Sequence, residues 1–190
     1  MTTVNKTNMK KFNQFKSEIL KRAKEVNACI TQYQRAYKSE NFDQLFQVIK
    51  DNFFYCCNTK IIDPDLIESV KEEAKECGIY HNESATNAYI LGSDNCTILG
   101  SDNCTILGSG NCIIKGYGNC TIKGYDNCTI EGSGNCIIKG YDNCTIEGYD
   151  NSYLNVRSDM ECKINDHAIM RYRDTDEVVI IGSNIKVKTI

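Results

Sequence analysis

An eight-residue sequence repeat between Asn87 and Asp174 constrains the fold of this chain more than any other feature. A clean copy reads Asn-Cys-Thr-Ile-Lys-Gly-Tyr-Asp, and the last two of the eleven copies replace the first residue by Asp159 and His167. The other nine copies begin with Asn at positions 87, 95, 103, 111, 119, 127, 135, 143 and 151. A short unit repeated at a fixed period indicates stacked coils that each cover the next.

The even length of the unit assigns its residues to two sides of a strand. Residues at the same place in successive units keep the same parity, so they point to the same side of a sheet. Cys and Ile share one parity and are the apolar set, so we predict that they face the interior. The predicted core ladder contains Cys96, Cys104, Cys112, Cys120, Cys128, Cys136, Cys144, Ile98, Ile106, Ile114, Ile122, Ile130, Ile138 and Ile146.

The rest of the unit is predicted to face water or to turn the chain. Thr, Tyr and an alternating set of Lys and Glu residues take the outer side, and Gly100 to Asn103 have the residue types of a turn. We expect each Asn side chain to bond neighbouring backbone at the bend. This turn ladder contains Asn95, Asn103, Asn111, Asn119, Asn127, Asn135 and Asn143.

These features predict a parallel β-solenoid. Two units per coil would give a flattened coil of sixteen residues, and three would give a triangular coil of twenty-four. The sequence of Ser109 to Gly116 recurs at Ser133 to Gly140, which fits twenty-four residues, but a duplication also explains it. We favour sixteen and keep twenty-four as the alternative.

The repeat resembles a known family. Lys115 to Ile122, which reads Lys-Gly-Tyr-Gly-Asn-Cys-Thr-Ile, is similar to the octads of bacterial ice-nucleation proteins. The whole chain resembles proteins of gut bacteria and their mobile elements that join a helical N-terminus to Gly-Tyr-Gly-Asn-type octads. The first resemblance implies a β-solenoid and raises ice binding as an alternative function, although Lys123 and Glu131 interrupt the outer Thr rows. The second implies an architecture and no activity.

The complete chain is predicted to be an α+β protein. We expect a helical module over residues 1–80, which also caps the solenoid, a linker over 81–86, the solenoid over 87–174 and a β-hairpin cap over 175–190. Apolar periodicity from Met9 to Ile30 predicts one helix over residues 7–40, and a second is expected over 41–54. Asp63 as cap, Pro64 at the first turn and Gly78 after the end predict a third.

No residue pattern predicts catalysis. Most of the cysteines recur once per unit, as expected of small buried hydrophobes, and they lack the spacing of a zinc site. At the turns, Asp94 alternates with Gly110, which argues against a calcium ligand there. Cys162 and His167 are the nearest approach to a nucleophile–base pair, and we interpret them as coincidental. We therefore predict a protein without enzymatic activity, metal or cofactor.

Charge and composition bound the partners. The net charge of −3 argues against nucleic acid, and no apolar run is long enough for a membrane span or a signal peptide, so a cytoplasmic protein is expected. We predict a structural or interaction protein in which the helical module binds an unidentified protein and the solenoid is a rigid spacer or display surface. Homo-oligomers through a solenoid end or face stay open. The alternative is ligand or glycan recognition through the Thr faces and a contact surface of Tyr117, Tyr125, Tyr141 and Tyr149.

Overall fold

The computed structural model describes residues 3–181, with side chains from residue 8. Contacts divide the chain into two compact units, Met1–His81 and Asn82–Ile190. Within the described residues, every helix is too short or too polar to cross a membrane.

The first unit contains six helices. They are α1 (Thr3–Glu25), α2 (Ile30–Lys38), α3 (Phe42–Asp51), α4 (Phe53–Asn58), α5 (Pro64–Glu68) and α6 (Lys71–Glu76). Their core is aromatic: Phe15 packs on Phe42 and Phe46, with ring centroids 5.8 and 5.2 Å apart. Buried aliphatic side chains such as Leu45 and Ile49 complete it.

The single helix expected over residues 7–40 is wrong. Asn27 adopts a φ of 50°, and the chain turns between α1 and α2. Asn enters this left-handed region at little cost, so it ends the helix although the apolar spacing continues. As a result Ile30, expected on the apolar face, is 72% exposed.

For the other two predicted helices, the first residues are confirmed and the last residues are wrong. Asn41 caps α3 by accepting from the Gln44 amide at 3.0 Å, and Asp63 caps α5 by accepting from the Leu66 amide at 2.8 Å, with Pro64 in the first turn. The second predicted helix divides at Asn52 into α3 and α4, and the third divides into α5 and α6 before Gly78.

The second unit is a parallel β-solenoid, as predicted. Its strands follow β1 (Ile79–His81) of the first unit and are β2 (Ala85–Thr86), β3 (Tyr89–Gly92), β4 (Thr97–Ser101), β5 (Thr105–Gly108), β6 (Ile113–Gly116), β7 (Thr121–Gly124), β8 (Thr129–Gly132), β9 (Ile137–Gly140), β10 (Thr145–Gly148), β11 (Tyr153–Val156), β12 (Cys162–Ile164), β13 (Ile169–Tyr172) and β14 (Val178–Ile180). Residues 81–86, expected as a linker, therefore include β2, in which Thr86 pairs with Ser101 of β4.

Strand pairing sets the coil at sixteen residues and excludes twenty-four. In one sheet β3, β5, β7, β9, β11 and β13 follow one another, and Ile106, Ile122 and Ile138 align. The opposite sheet has the order β12-β10-β8-β6-β4-β2, with Ile114 beside Ile130. We call these the odd and the even sheet. Six strands about 4.8 Å apart make a rod roughly 25 Å long.

The C-terminal cap is described in part. Strand β14 runs antiparallel to β13, with Ile180 opposite Ile169. The rest of the expected hairpin, residues 182–190, lies outside the described residues.

Candidate functional site

The interior of the solenoid consists of stacked Cys, Ile and Gly residues. The cysteines from Cys104 to Cys144 and the isoleucines at every eighth position from Ile98 to Ile146 are at most 1% exposed, whereas Cys96 at the first coil is half-buried. Because the coil contains sixteen residues, the thiols form two ladders on opposite sides. One contains Cys96, Cys112, Cys128 and Cys144, and the other contains Cys104, Cys120 and Cys136.

The repeated glycine is an interior residue, and its assignment to the turn was wrong. Gly116 is the last residue of β6, and its α-carbon faces inward. A β-carbon there would lie 2.5 Å from Cδ1 of Ile122, which belongs to the opposite sheet. Glycine thus lets the two sheets approach closely enough for the isoleucines to fill the space between them.

The ladder thiols lie close together in an apolar interior. The Sγ atoms of Cys96 and Cys112 are 2.7 Å apart. Burial raises the pKa of Cys96 to about 12 and also raises the pKa of Cys104. Burial keeps alkylating reagents away from the ladder thiols, and the raised pKa values of Cys96 and Cys104 also lower their thiolate content.

We expect alkylation to separate the twelve cysteines into three groups. Exposed Cys29 should react first, half-buried Cys57, Cys96 and Cys162 more slowly, and the eight buried thiols only in denaturant. Mass spectrometry of peptides from native protein treated with iodoacetamide measures each rate. Reaction of Cys104 to Cys144 as fast as Cys29 would place the ladder on the outside.

Asparagine ladders run along both edges of the rod. The side chains are exposed, and from Asn103 to Asn143 each donates to the Asn one coil earlier. A bond to backbone of the expected kind is made by Asn87, whose Oδ1 accepts from the Asn103 amide at 3.3 Å. Along one edge, Nδ2 of each Asn donates to Oδ1 of the preceding one. The bonds join Asn103 with Asn87 (2.8 Å), Asn119 with Asn103 (3.3 Å) and Asn135 with Asn119 (3.1 Å). Along the other, the pairs are Asn111 to Asn95 (2.9 Å), Asn127 to Asn111 (3.3 Å) and Asn143 to Asn127 (3.4 Å).

The backbone conformation of the residue before each Asn explains why Asp and Gly alternate at that position. Asp94, Gly110 and Asp126 all have φ between 59° and 77°, a region open to Gly and tolerated by Asp. The Asp carboxylates also join coils, since Asp126 accepts from the Gly110 amide at 2.9 Å. The described residues contain no group of three side chains suited to a metal ion.

The four tyrosines of the candidate contact surface do not form one row. Tyr125 and Tyr141 follow the odd sheet and stack with centroids 4.7 Å apart. The guanidinium of Arg173 lies 4.5 Å from the Tyr141 ring centroid and donates to the Gly140 carbonyl oxygen at 2.7 Å. Tyr117 and Tyr149 follow the even sheet, where Ser133 occupies the coil between them.

Charged side chains on the even sheet also pair between coils. Lys115 Nζ lies 2.7 Å from a Glu131 carboxylate oxygen, and this contact raises the pKa of Lys115. A hydrogen bond to Glu147 raises the pKa of Tyr149. Many polar outer groups of the rod are thus engaged with neighbouring residues of the rod.

Several basic residues of the helical unit are paired with acidic residues of the same unit. Arg22 lies 2.8 Å from Glu18 and 2.6 Å from Asp63, and its hydrogen bond lowers the pKa of Glu18. Arg35 lies 2.6 Å from Asp51. These ion pairs within the unit reduce its attraction for an acidic partner.

Helix α2 instead presents an apolar outer stripe. Ile30 is 72% exposed and Tyr37, seven residues later on the same side, is 64% exposed. Ala36, the buried residue of α2, lies about a third of a turn around the helix from this stripe, over an apolar cavity. Sequence periodicity missed this stripe because it assigned Ile30 to the core.

The remaining candidate catalytic residues, Cys162 and the two histidines, do not form a site in the described part of the chain. Cys162 is half-buried in β12 while His167 is exposed in the following turn. His81 Nδ1 lies 3.6 Å from Glu68. Comparison of the chain with protein-family models, with curated proteins and with solved structures gave no match.

Proposed function

We propose that this chain is a non-enzymatic interaction protein, in which the helical unit docks on a protein partner and the solenoid is a short rigid rod that spaces or displays it. One contrast carries the proposal. The rod uses its outer Asn, Asp, Tyr and Lys side chains to join its own coils, and its outer apolar residues Leu99, Ile113 and Ile137 are 44–46% exposed. On α2, Ile30 and Tyr37 are more exposed, at 72% and 64%. Exposed large apolar side chains on one helix face are typical of a binding surface.

Recognition through the solenoid is the weaker alternative. Tyr141 has Tyr125 on one ring face and Arg173 near its ring, which leaves little room for a sugar or a base to stack on it. Ice binding requires regular outer rows, but the even sheet aligns Thr97, Ile113 and Thr129 beside the Lys115–Glu131 ion pair.

A capture experiment with the full chain separates the two surfaces. The double variant Ile30→Ser, Tyr37→Ser should lose partner proteins that the parent chain retains from native lysate. The matched solenoid variant, Leu99→Ser with Tyr117→Ser, alters two side chains that are 46% and 39% exposed and should retain them.

Because all four positions are exposed, each substitution should change the free energy of unfolding by no more than about 0.5 kcal/mol. Circular dichroism of both variants checks this. Retained capture by the α2 variant would contradict docking through α2. Loss of partner capture in the solenoid variant alone would place the recognition surface on the repeats of the solenoid.

A further inference from the structure

The helical unit contains a cavity that its core does not fill. The cavity lies among α1, α2, α3 and α4 and has a volume of about 310 Å³. Ile19, Leu45 and Ile49, each at most 3% exposed, contribute to its apolar lining. Ala23 and Ala36 also line it, and their short side chains leave space that larger residues would occupy.

The volume limits what the cavity can hold. An apolar cavity of about 150 Å³ binds benzene, so twice that volume suits a bicyclic ring or a chain of about ten carbon atoms. Pockets that bind small molecules begin at about 300 Å³ and combine an apolar lining with a few polar groups. This cavity meets both conditions.

The polar groups of the lining are neutral. They come from Gln32, Tyr33, Asn52 and Tyr55, and no charged residue contributes to the lining. The Asn52 amide nitrogen donates to the Val48 carbonyl oxygen at 2.9 Å, which leaves Oδ1 to accept. A buried ionic group would lack a counter-charge here, whereas an amide or hydroxyl would find partners.

A thiol at the same cavity offers a chemical probe. Cys29 is exposed, stands at the N-cap of α2 and forms part of the cavity lining. Although its side chain makes no capping hydrogen bond, the nearby backbone amides of Gln32 and Thr31 lower the pKa of Cys29. A more acidic, exposed thiol reacts faster with electrophiles.

We propose that this cavity binds a neutral small molecule with an apolar body of about ten carbon atoms and one hydrogen-bonding head group. The site uses the inner side of α2 and is separate from the outer stripe of Ile30 and Tyr37. The proposal therefore stands or falls independently of partner docking.

The first test compares two probes of nearly equal shape. Naphthalene-2-carboxamide and naphthalene-2-carboxylate are titrated into the full chain by calorimetry. We expect saturable binding of the amide and at least tenfold weaker binding of the anion. Absence of amide binding at millimolar concentration, or equal affinity for both probes, would overturn the proposal.

A cavity-filling variant tests the location. Ala36→Leu places a larger side chain in the cavity and should abolish amide binding, whereas Gln34→Leu, on an exposed position of the same helix, should leave it unchanged. Ala23→Val serves as a second filling variant if Ala36→Leu loses its helical circular dichroism. A folded filling variant that binds as tightly as the parent chain places the ligand elsewhere and overturns the proposal.

The thiol gives an independent readout. Michael addition joins Cys29 Sγ to a maleimide ring carbon, and the neighbouring carbon takes up a proton. The labelling rate with N-(2-naphthyl)maleimide is divided by the rate with N-phenylmaleimide, both for Cys29 and for free cysteine. This ratio should be at least tenfold higher for Cys29, because the larger ring occupies the cavity. Ala36→Leu should remove that preference. An unchanged preference in that variant would contradict binding in the cavity.

Discussion

Gly116→Ala should lower the free energy of unfolding of the solenoid by about 1–3 kcal/mol, since forced overpacking of a dense core costs in this range. The added methyl would stand 2.5 Å from Ile122 Cδ1, with Cys120 Cβ at 3.3 Å behind it. Ile122 lies between neighbouring coils, so it has little freedom to move away. Urea unfolding followed by the β-sheet circular dichroism signal measures the loss.

The steric clash can be tested separately by removing Ile122 Cδ1, the atom that the added methyl group would contact. Ile122→Val deletes Cδ1 and alone should cost about 0.5–1.5 kcal/mol. Combined with Gly116→Ala, it should be less destabilising than the sum of the two single changes, because contacting residues are not additive. Strict additivity would mean that the glycine acts through backbone conformation rather than through the packing of the sheets.

A neighbouring residue supplies the control. Lys115 precedes Gly116 in β6 and points outward to Glu131. Lys115→Ala removes an exposed ion pair, which contributes little to stability. A loss in Lys115→Ala as large as that in Gly116→Ala would contradict the assignment of inner and outer sides.

The interior of the solenoid was predictable because it depends only on parity. Cys and Ile alternate with polar residues, and an even repeat keeps that alternation through every unit. The coil size was not determined by the same pattern, because sixteen and twenty-four residues both preserve parity. Pairing of Ile106 with Ile122 is a long-range contact that decides between them.

The errors at the site follow from such long-range contacts. Gly116 has the residue type of a turn, and only the approach of Ile122 from the opposite sheet explains why it belongs to a strand. Tyr117 and Tyr125, eight residues apart, fall on opposite sheets once a coil has sixteen residues, so the predicted single row could not form. In the helical unit, apolar spacing continued through Asn27 and concealed the break.

The central claim, a solenoid whose coil contains sixteen residues, is tested most directly by two deletions. Removing sixteen residues, Asn111 to Asp126, joins Gly110 to Asn127 and keeps the turn sequence Ser-Gly-Asn-Cys. It removes β6 and β7, so β4 can pair with β8 and β5 with β9 in the same register. The variant loses the Lys115–Glu131 pair and the Tyr125–Tyr141 stack and keeps both Asn ladders.

The comparison deletion removes fewer residues and should do more damage. Removing twelve residues, Asn111 to Ile122, preserves strand parity but leaves one unit half its length, so a turn sequence falls where the next coil needs a strand. Stability in stacked repeats is roughly a sum of unit and neighbour contributions, so the loss of a whole coil is tolerated and a misphased coil is not. Thermal unfolding followed by circular dichroism should show a cooperative transition for the sixteen-residue deletion and none for the twelve-residue deletion. Loss of the transition in the sixteen-residue deletion, or its survival in both, would contradict a coil of sixteen residues.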